Sequence, residues 1–125
     1  MYNSFKSSSN RSTKIWLRSV EQVKQLETEQ QFVELKKGNT VFEFTADWCP
    51  DCKFLAPFMP EIEKDFSDAK FYEIDRDGSI DIAKKLMIMG IPSFVVYQDG
   101  KEIGRLVNKD RKTKDEVENF LRSLD

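Results

Sequence analysis

Apolar and polar positions follow two different periods along this chain, and the switches between them mark out its elements. "TVFEF" (residues 40–44) is β-branched or aromatic at nearly every position, which predicts a strand covered on both faces in the middle of a sheet. "KFYEI" (70–74) predicts a second central strand, and residues 93–97 a third. An Asp99-Gly100 hairpin signal then leads to a partner strand over 102–107. Between these runs the period becomes helical. Beyond Cys49, apolar residues fall at Phe54, Leu55, Phe58, Met59, Ile62 and Phe66, the spacing of a helix with one face in the core, and all three phenylalanines are assigned to that core. Pro50 suits a first helical turn, where no amide donor is missed, whereas Pro57 lies inside the pattern and predicts a kink. Residues 79–86 predict a short helix. Thr113 followed by Glu116 is a capping box opening a last helix through Val117, Phe120, Leu121 and Leu124.

The first third of the chain is less regular. Residues 1–13 ("MYNSFKSSSNRST") carry turn and linker residues and predict a flexible lead-in to a domain over 14–125. A short apolar pulse at 14–17 predicts an edge strand against which Trp16 packs. Ser19 is placed as the N-cap of a helix through Val20, Val23 and Leu26 that continues or restarts through Phe32, Val33 and Leu35, with Gly38 and Asn39 as its stop. The order βαβαβαββα, without internal repeat, predicts an α/β fold.

Composition narrows the chemistry. At 125 residues the chain has room for one domain whose core needs neither disulfides nor a metal to hold it. Twenty basic side chains face 22 acidic ones, so charge gives no reason to expect nucleic acid or an anionic membrane as partner. No stretch reaches the roughly 18 to 20 apolar residues of a membrane helix, and residues 1–13 lack an apolar signal core. The expectation is a cytoplasmic protein, monomeric, with no membrane association. Histidine is absent, which removes any Cys/His relay and any imidazole metal ligand.

The chain has two cysteines, Cys49 and Cys52, and they close too short a loop to staple a fold. At the end of a buried strand and the N-cap of the helix begun by Pro50, the Cys49 sulfur would face unpaired amides and the positive end of that helix, a placement that favours thiolate. Cys52, one turn in and more buried, would stay protonated as the resolving thiol. This predicts disulfide exchange: Cys49 attacks a substrate disulfide and Cys52 then displaces the substrate thiol, with no cofactor beyond the Cys49-Cys52 disulfide. Something must take the proton from Cys52. Glu43, among Val41, Phe42 and Phe44, is the candidate, its pKa raised by burial.

Other readings of the same residues are weaker. Two inert core thiols would continue an apolar stripe, and these follow Trp48 at a strand end. A zinc or iron-sulfur site needs four ligands and has half of them, so two chains would have to share it; the expectation is no metal. "EIDRDGSIDIAK" (73–84) has the acid spacing of a calcium loop, but Lys84 stands where the bidentate glutamate belongs, which leaves a turn and a helix cap. Met87 and Met89 could border a substrate groove or fill the core. A binding module holding a partner between Trp48 and Ile91 without turnover is the alternative from outside enzymology.

"FEFTADWCPDCKFLAPF" followed 40 residues later by "GIPSFVVYQDGKEI" resembles the thioredoxin family. The resemblance implies the thioredoxin fold, a mixed sheet of about five strands flanked by helices on both faces, and a protein-disulfide reductase. It matches Trp48, Cys49, Cys52, the buried acid Glu43, the kink proline Pro57 and a cis-proline at Pro92, whose loop with Ile91 would lie against the start of the Cys49 helix and shape the groove for an extended substrate. It also implies disulfide-containing proteins or small thiols as substrates, and a thioredoxin reductase or similar electron donor. The chain departs from the family in having Pro50-Asp51 where Gly-Pro is usual, Glu43 for an aspartate, Phe71 for a lysine near the acid, and Asn108 for a glycine of the substrate-facing surface. The motif "WCPDC" is similar to that of a group of small thioredoxin-related proteins. Asp51 suits the helix start yet opposes the Cys49 thiolate, a term of roughly 1 to 4 kcal/mol before screening at an effective dielectric of about 20.

Overall fold

The computed structural model describes residues 24–26 and 29–124. Its elements in chain order are β1 (Lys24–Leu26), α1 (Glu29–Leu35), β2 (Asn39–Thr45), α2 (Pro50–Leu55), a 3₁₀ turn (Ala56–Phe58), α3 (Met59–Asp65), β3 (Lys70–Asp75), α4 (Ile80–Lys85), β4 (Ser93–Gln98), β5 (Lys101–Leu106) and α5 (Lys114–Arg122). The strands form one mixed sheet in the order β1-β3-β2-β4-β5, in which β1 and β2 run parallel to β3, and β4 runs antiparallel to both β2 and β5. Four strands have six or seven residues; β1 is a three-residue edge.

Alternation along the strands sends side chains to two cores, one per face. Phe42, Phe44, Tyr72, Ile74, Val95 and Tyr97 pack with Phe32 of α1 and Ile82 and Ala83 of α4. Val41, Phe71, Phe94 and Val96 pack on the other face with Leu55, Met59 and Ile62, and with Val117 and Leu121 of α5. The "VFEF" run is buried on both faces because β2 lies between β3 and β4 under helices on each side. Helix α5 begins with the predicted capping box: Glu116 N donates to Thr113 Oγ1 at 3.1 Å and Thr113 N to Glu116 Oε1 at 3.1 Å. The hairpin turn has φ of 54° at Asp99 and 87° at Gly100, the pair of positive values of a type I′ turn.

Three expectations are corrected. Lys24–Leu26 is a strand and not the end of a helix, because its backbone pairs with Tyr72, Glu73 and Ile74 at the edge of β3; the helix starts at Glu29 and buries Phe32. The strand expected at 14–17, Trp16, Ser19, Val20, Val23 and the lead-in 1–13 lie outside the described residues. Phe54 and Phe58 are not core. Two apolar rows of helical spacing run along residues 54–66, and the one that faces inward is Leu55, Met59 and Ile62; Phe54 and Phe58 are 39% and 37% exposed, their rings 6.0 Å apart. The kink falls where Pro57 lies, as a turn of 3₁₀ helix separating α2 from α3. Met87 and Met89 are exposed, which removes their core reading.

Candidate active site

β2 delivers the chain to the mouth of α2. After Thr45 a turn closes with Cys49 N donating to Ala46 O at 3.2 Å, and Cys49 takes the N-cap with extended backbone while Pro50 opens the helix. Cys49 Sγ then accepts from Cys52 N at 3.2 Å, the bond an N-cap side chain makes. The Cys49 thiol also faces Ile91 O at 3.8 Å. Both cysteines are free thiols, and each is 4% exposed, which corrects the expectation that Cys52 is the more buried: the Ile91 loop and Trp48 turn cover Cys49 as fully as the helix covers Cys52.

What separates the two sulfurs is chemistry more than depth. Burial, then the hydrogen bond with Cys49, push the Cys52 thiol up to about 12, against the smaller opposing effects of the Thr45 side chain and the Ala46 backbone. Cys52 is therefore a neutral thiol near pH 7. On the Val41 face of β2 lies Glu43, 5% exposed, its carboxyl pushed up to about 8 by burial and, next, by the charges of Glu73 and Glu63. Glu73 is its register partner on β3, so two carboxylates share one face of adjacent strands.

Around this pair, the Ile91-Pro92 peptide is cis and buried, with Ser93 Oγ donating to Gly90 O. Trp48 is 58% exposed yet fixed: its Nε1 donates to Asp77 Oδ2 at 2.6 Å, and the Arg76 guanidinium lies 5.2 Å from its ring centre. That bond, followed by those from Arg76, holds the Asp77 carboxyl below its usual range. The Thioredoxin family profile matches residues 20–123. The chain belongs to the thioredoxin family. It is 38% identical over 74 residues to mitochondrial Thioredoxin-2 of Schizosaccharomyces pombe, covering 59% of this chain and 56% of that protein. With Thioredoxin-2 of Saccharomyces cerevisiae it shares 39% over 67 residues, covering 54% of this chain and 64% of that one. The chain thus spans somewhat over half the length of these curated relatives. The solved structure of mitochondrial thioredoxin 3 from Saccharomyces cerevisiae, in its oxidized form, superposes with a TM-score of 0.75 at 28% identity over 85% of this chain and 99% of that one.

Of the sequence-predicted positions in this thioredoxin-family fold, Trp48, Cys49, Pro50, Asp51 and Cys52 lie where β2 runs into α2, and Ile91 and Pro92 belong to the loop whose Ile91 O faces Cys49, while Glu43 lies within β2 beside Glu73 of β3. Sequence reasoning missed four others. Thr45 touches Cys52 and Asp77 holds Trp48. Arg111 Nε donates to Asp51 Oδ1 at 2.9 Å, and Lys112, 1% exposed, lies within electrostatic reach of Asp51 and Cys52. The signals were weak because each partner is distant in sequence or, like Lys112, sits in a run of alternating charges that reads as solvated loop. The calcium-like stretch is a turn in which Asp77 N donates to Asp75 Oδ1 at 3.1 Å, and among the described residues no cluster of three or more metal-ligating side chains forms.

Gly90 is the position where backbone approach is tightest. A Cβ there would meet Asn108 O at 2.2 Å and Lys109 Cα at 2.7 Å, both main-chain atoms unable to rotate away. Gly90→Ala is expected to destabilise the fold by about 2 to 3 kcal/mol, as overpacking does, and to loosen the 90–93 loop over Cys49. Urea unfolding measures the first effect and proteolysis within residues 88–93 the second.

Proposed function

We propose that the chain is a dithiol-disulfide oxidoreductase acting on protein or small-molecule disulfides. The observation that carries this reading is the Cys49 sulfur at the N-cap of α2, bonded to the Cys52 amide, with an un-ionised second thiol one turn away. The Cys49 thiolate attacks one sulfur of a substrate disulfide, forming a Cys49-substrate bond and releasing the first substrate thiolate. Cys52 then gives its proton to Glu43, directly or through one water, and attacks Cys49 Sγ. The second substrate thiolate leaves and takes up a proton. Two electrons have passed to the substrate, and the protein holds a Cys49-Cys52 disulfide that an external dithiol donor, such as a thioredoxin reductase, must reduce. The sulfurs carry the electrons, so no cofactor is required.

Ile91 and Pro92 form one wall of the substrate groove in this reading, and exposed Trp48, Met87 and Met89 offer an adaptable apolar rim. Pro50 opens the helix and Asp51 tunes it. The same reading has the chain acting as a monomer in a reducing compartment, the cytoplasm, where the dithiol form is regenerated.

The experiment is equilibration of the Cys49/Cys52 pair with glutathione buffers, with the oxidised fraction read by thiol labelling, alongside turnover of a protein disulfide with dithiothreitol as donor. Turnover with a potential near about −270 mV marks a reductant, and one near about −120 mV an oxidant. Absence of both turnover and a measurable two-electron couple would leave a binding scaffold.

A further inference from the structure

Asp51 places a carboxylate between the two cysteines, and the structure gives it a partner from 60 residues away. Arg111 reaches it from the loop joining β5 to α5, with Nε 2.9 Å from Oδ1. The guanidinium is also seated 4.5 Å from the ring centre of Phe54, which is partly exposed. The loop is pinned from behind. Lys112 Nζ donates to Asn108 Oδ1 at 2.8 Å, Asn108 O at 3.1 Å and Asp110 O at 2.6 Å, and Asn108 packs on the backbone of Gly90 beside the Ile91-Pro92 loop.

We propose that Arg111 is a positioning residue for the dithiol: by pairing with Asp51 it neutralises the charge standing between the cysteines and so preserves the reactivity of Cys49. This rests on the oxidoreductase reading. An exposed ion pair ordinarily contributes little, because two long side chains must be ordered and water screens them. Here the ordering is already done by the Phe54 ring and the fixed loop, and the planar guanidinium loses less on binding than a lysine would.

The other charged and titratable groups about Cys49 do not take this role. Cys52 on α2 is a neutral thiol near pH 7, Glu43 is buried on β2, and Asp77 and Arg76 are engaged with Trp48. Lys112 is within electrostatic reach of Asp51 but directs its three hydrogen bonds to Asn108 and Asp110, and it is the same in every variant compared below, while Asp47 and Lys53 are exposed flanking charges. Asp51 is the acid of the first turn of α2, and Arg111 is the cation bonded to it.

The test is the rate of Cys49 alkylation by iodoacetamide near pH 6, read by mass spectrometry, in the full chain and in R111Q, R111K, D51N and D51N/R111Q. R111Q should slow alkylation about 2- to 5-fold at low salt, the range of a partly exposed ion pair. R111K, which keeps the charge and loses the planar seat on Phe54, should restore part of the rate, and the R111Q difference should shrink in molar salt. In the D51N background R111Q should have no further effect. An unchanged rate in R111Q, or the same slowing with and without Asp51, overturns the proposal, since Arg111 would then be idle or act through loop packing alone. If Cys49 in the wild-type chain proves no more reactive than Cys52, the oxidoreductase reading itself fails; a reactive Cys49 indifferent to Arg111 sinks this inference only.

Discussion

Cys49→Ser should reduce disulfide turnover to the uncatalysed background, while Cys52→Ser should keep the first attack and stop after it. The asymmetry follows from the site's geometry. The helix-start amide of Cys52 is directed at the Cys49 sulfur at 3.2 Å, and it can hold a thiolate but cannot make a serine hydroxyl nucleophilic near neutral pH. Cys52 contributes only when the mixed disulfide has formed, and its thiol, pushed up to about 12 by burial and by Cys49, does not compete for the first attack. In Cys52→Ser the hydroxyl cannot displace the substrate, so a Cys49-substrate adduct should accumulate to near one equivalent within a single turnover, visible as added mass and released by external thiol. Equal trapping by Cys49→Ser, or turnover surviving in either variant, would contradict the assignment of roles. Both replacements are near-isosteric, so unchanged unfolding midpoints separate lost chemistry from lost structure.

The parts of this site that could be read from the chain were those whose causes are local. Ala46, Asp47 and Trp48 form a short turn between a strand of β-branched and aromatic residues and a helix opened by Pro50, which is why Cys49 could be placed at an N-cap before any fold was known. The Thr113-Glu116 box is decided by contacts three residues apart, and the Asp99-Gly100 turn by the positive φ its two residues accept, although its amides also donate to Gly38 O and Lys36 O. Lys24–Leu26 was misread because nothing in "KQL" itself makes a strand; the open edge of β3 does. Phe54 was assigned to the core because helical spacing reports a stripe without its direction, and the competing row of Leu55, Met59 and Ile62 is closer to the sheet. The relative depth of the two cysteines depended on the Ile91 loop, 42 residues away from Cys49, and the Asp51-Arg111 pair on a closure of 60 residues. Burial of Glu43 was legible because its neighbours Val41, Phe42 and Phe44 left the strand no exposed face; the nearness of Glu73 was not, since it needs the parallel register with β3.

That second carboxylate gives Glu43→Gln two effects of opposite sign. In the folded protein the Glu43 carboxyl lies at about 8, raised by burial and then by Glu73 and Glu63, whereas its ordinary value is 4.5. Below pH 4.5 both folded and unfolded chains hold the proton, and the group contributes nothing to the pH dependence. Between pH 4.5 and 8 the unfolded chain releases a proton that the folded chain keeps, so stability falls as pH rises, by about 1.4 kcal/mol per pH unit and by roughly 4 to 5 kcal/mol in all once pH exceeds 8. An amide has no proton to lose. Glu43→Gln should therefore lie about 1 to 2 kcal/mol below the wild-type chain near pH 4, the cost of an amide not fully hydrogen-bonded, and rise above it progressively toward pH 9, by about 2 to 4 kcal/mol, as measured by urea midpoints across that range. In the proposed mechanism the same variant also removes the base that accepts the Cys52 proton. Release of substrate from a preformed Cys49 mixed disulfide should slow about 100-fold or more at pH 8, the scale of lost general-base catalysis, and lose the rise with pH that the wild type shows as Glu43 ionises. A stability difference independent of pH would mean that Glu43 is ionised in the fold like any surface acid. A stabilised variant with an unchanged release rate would mean that the buried carboxyl is present but takes no proton from Cys52.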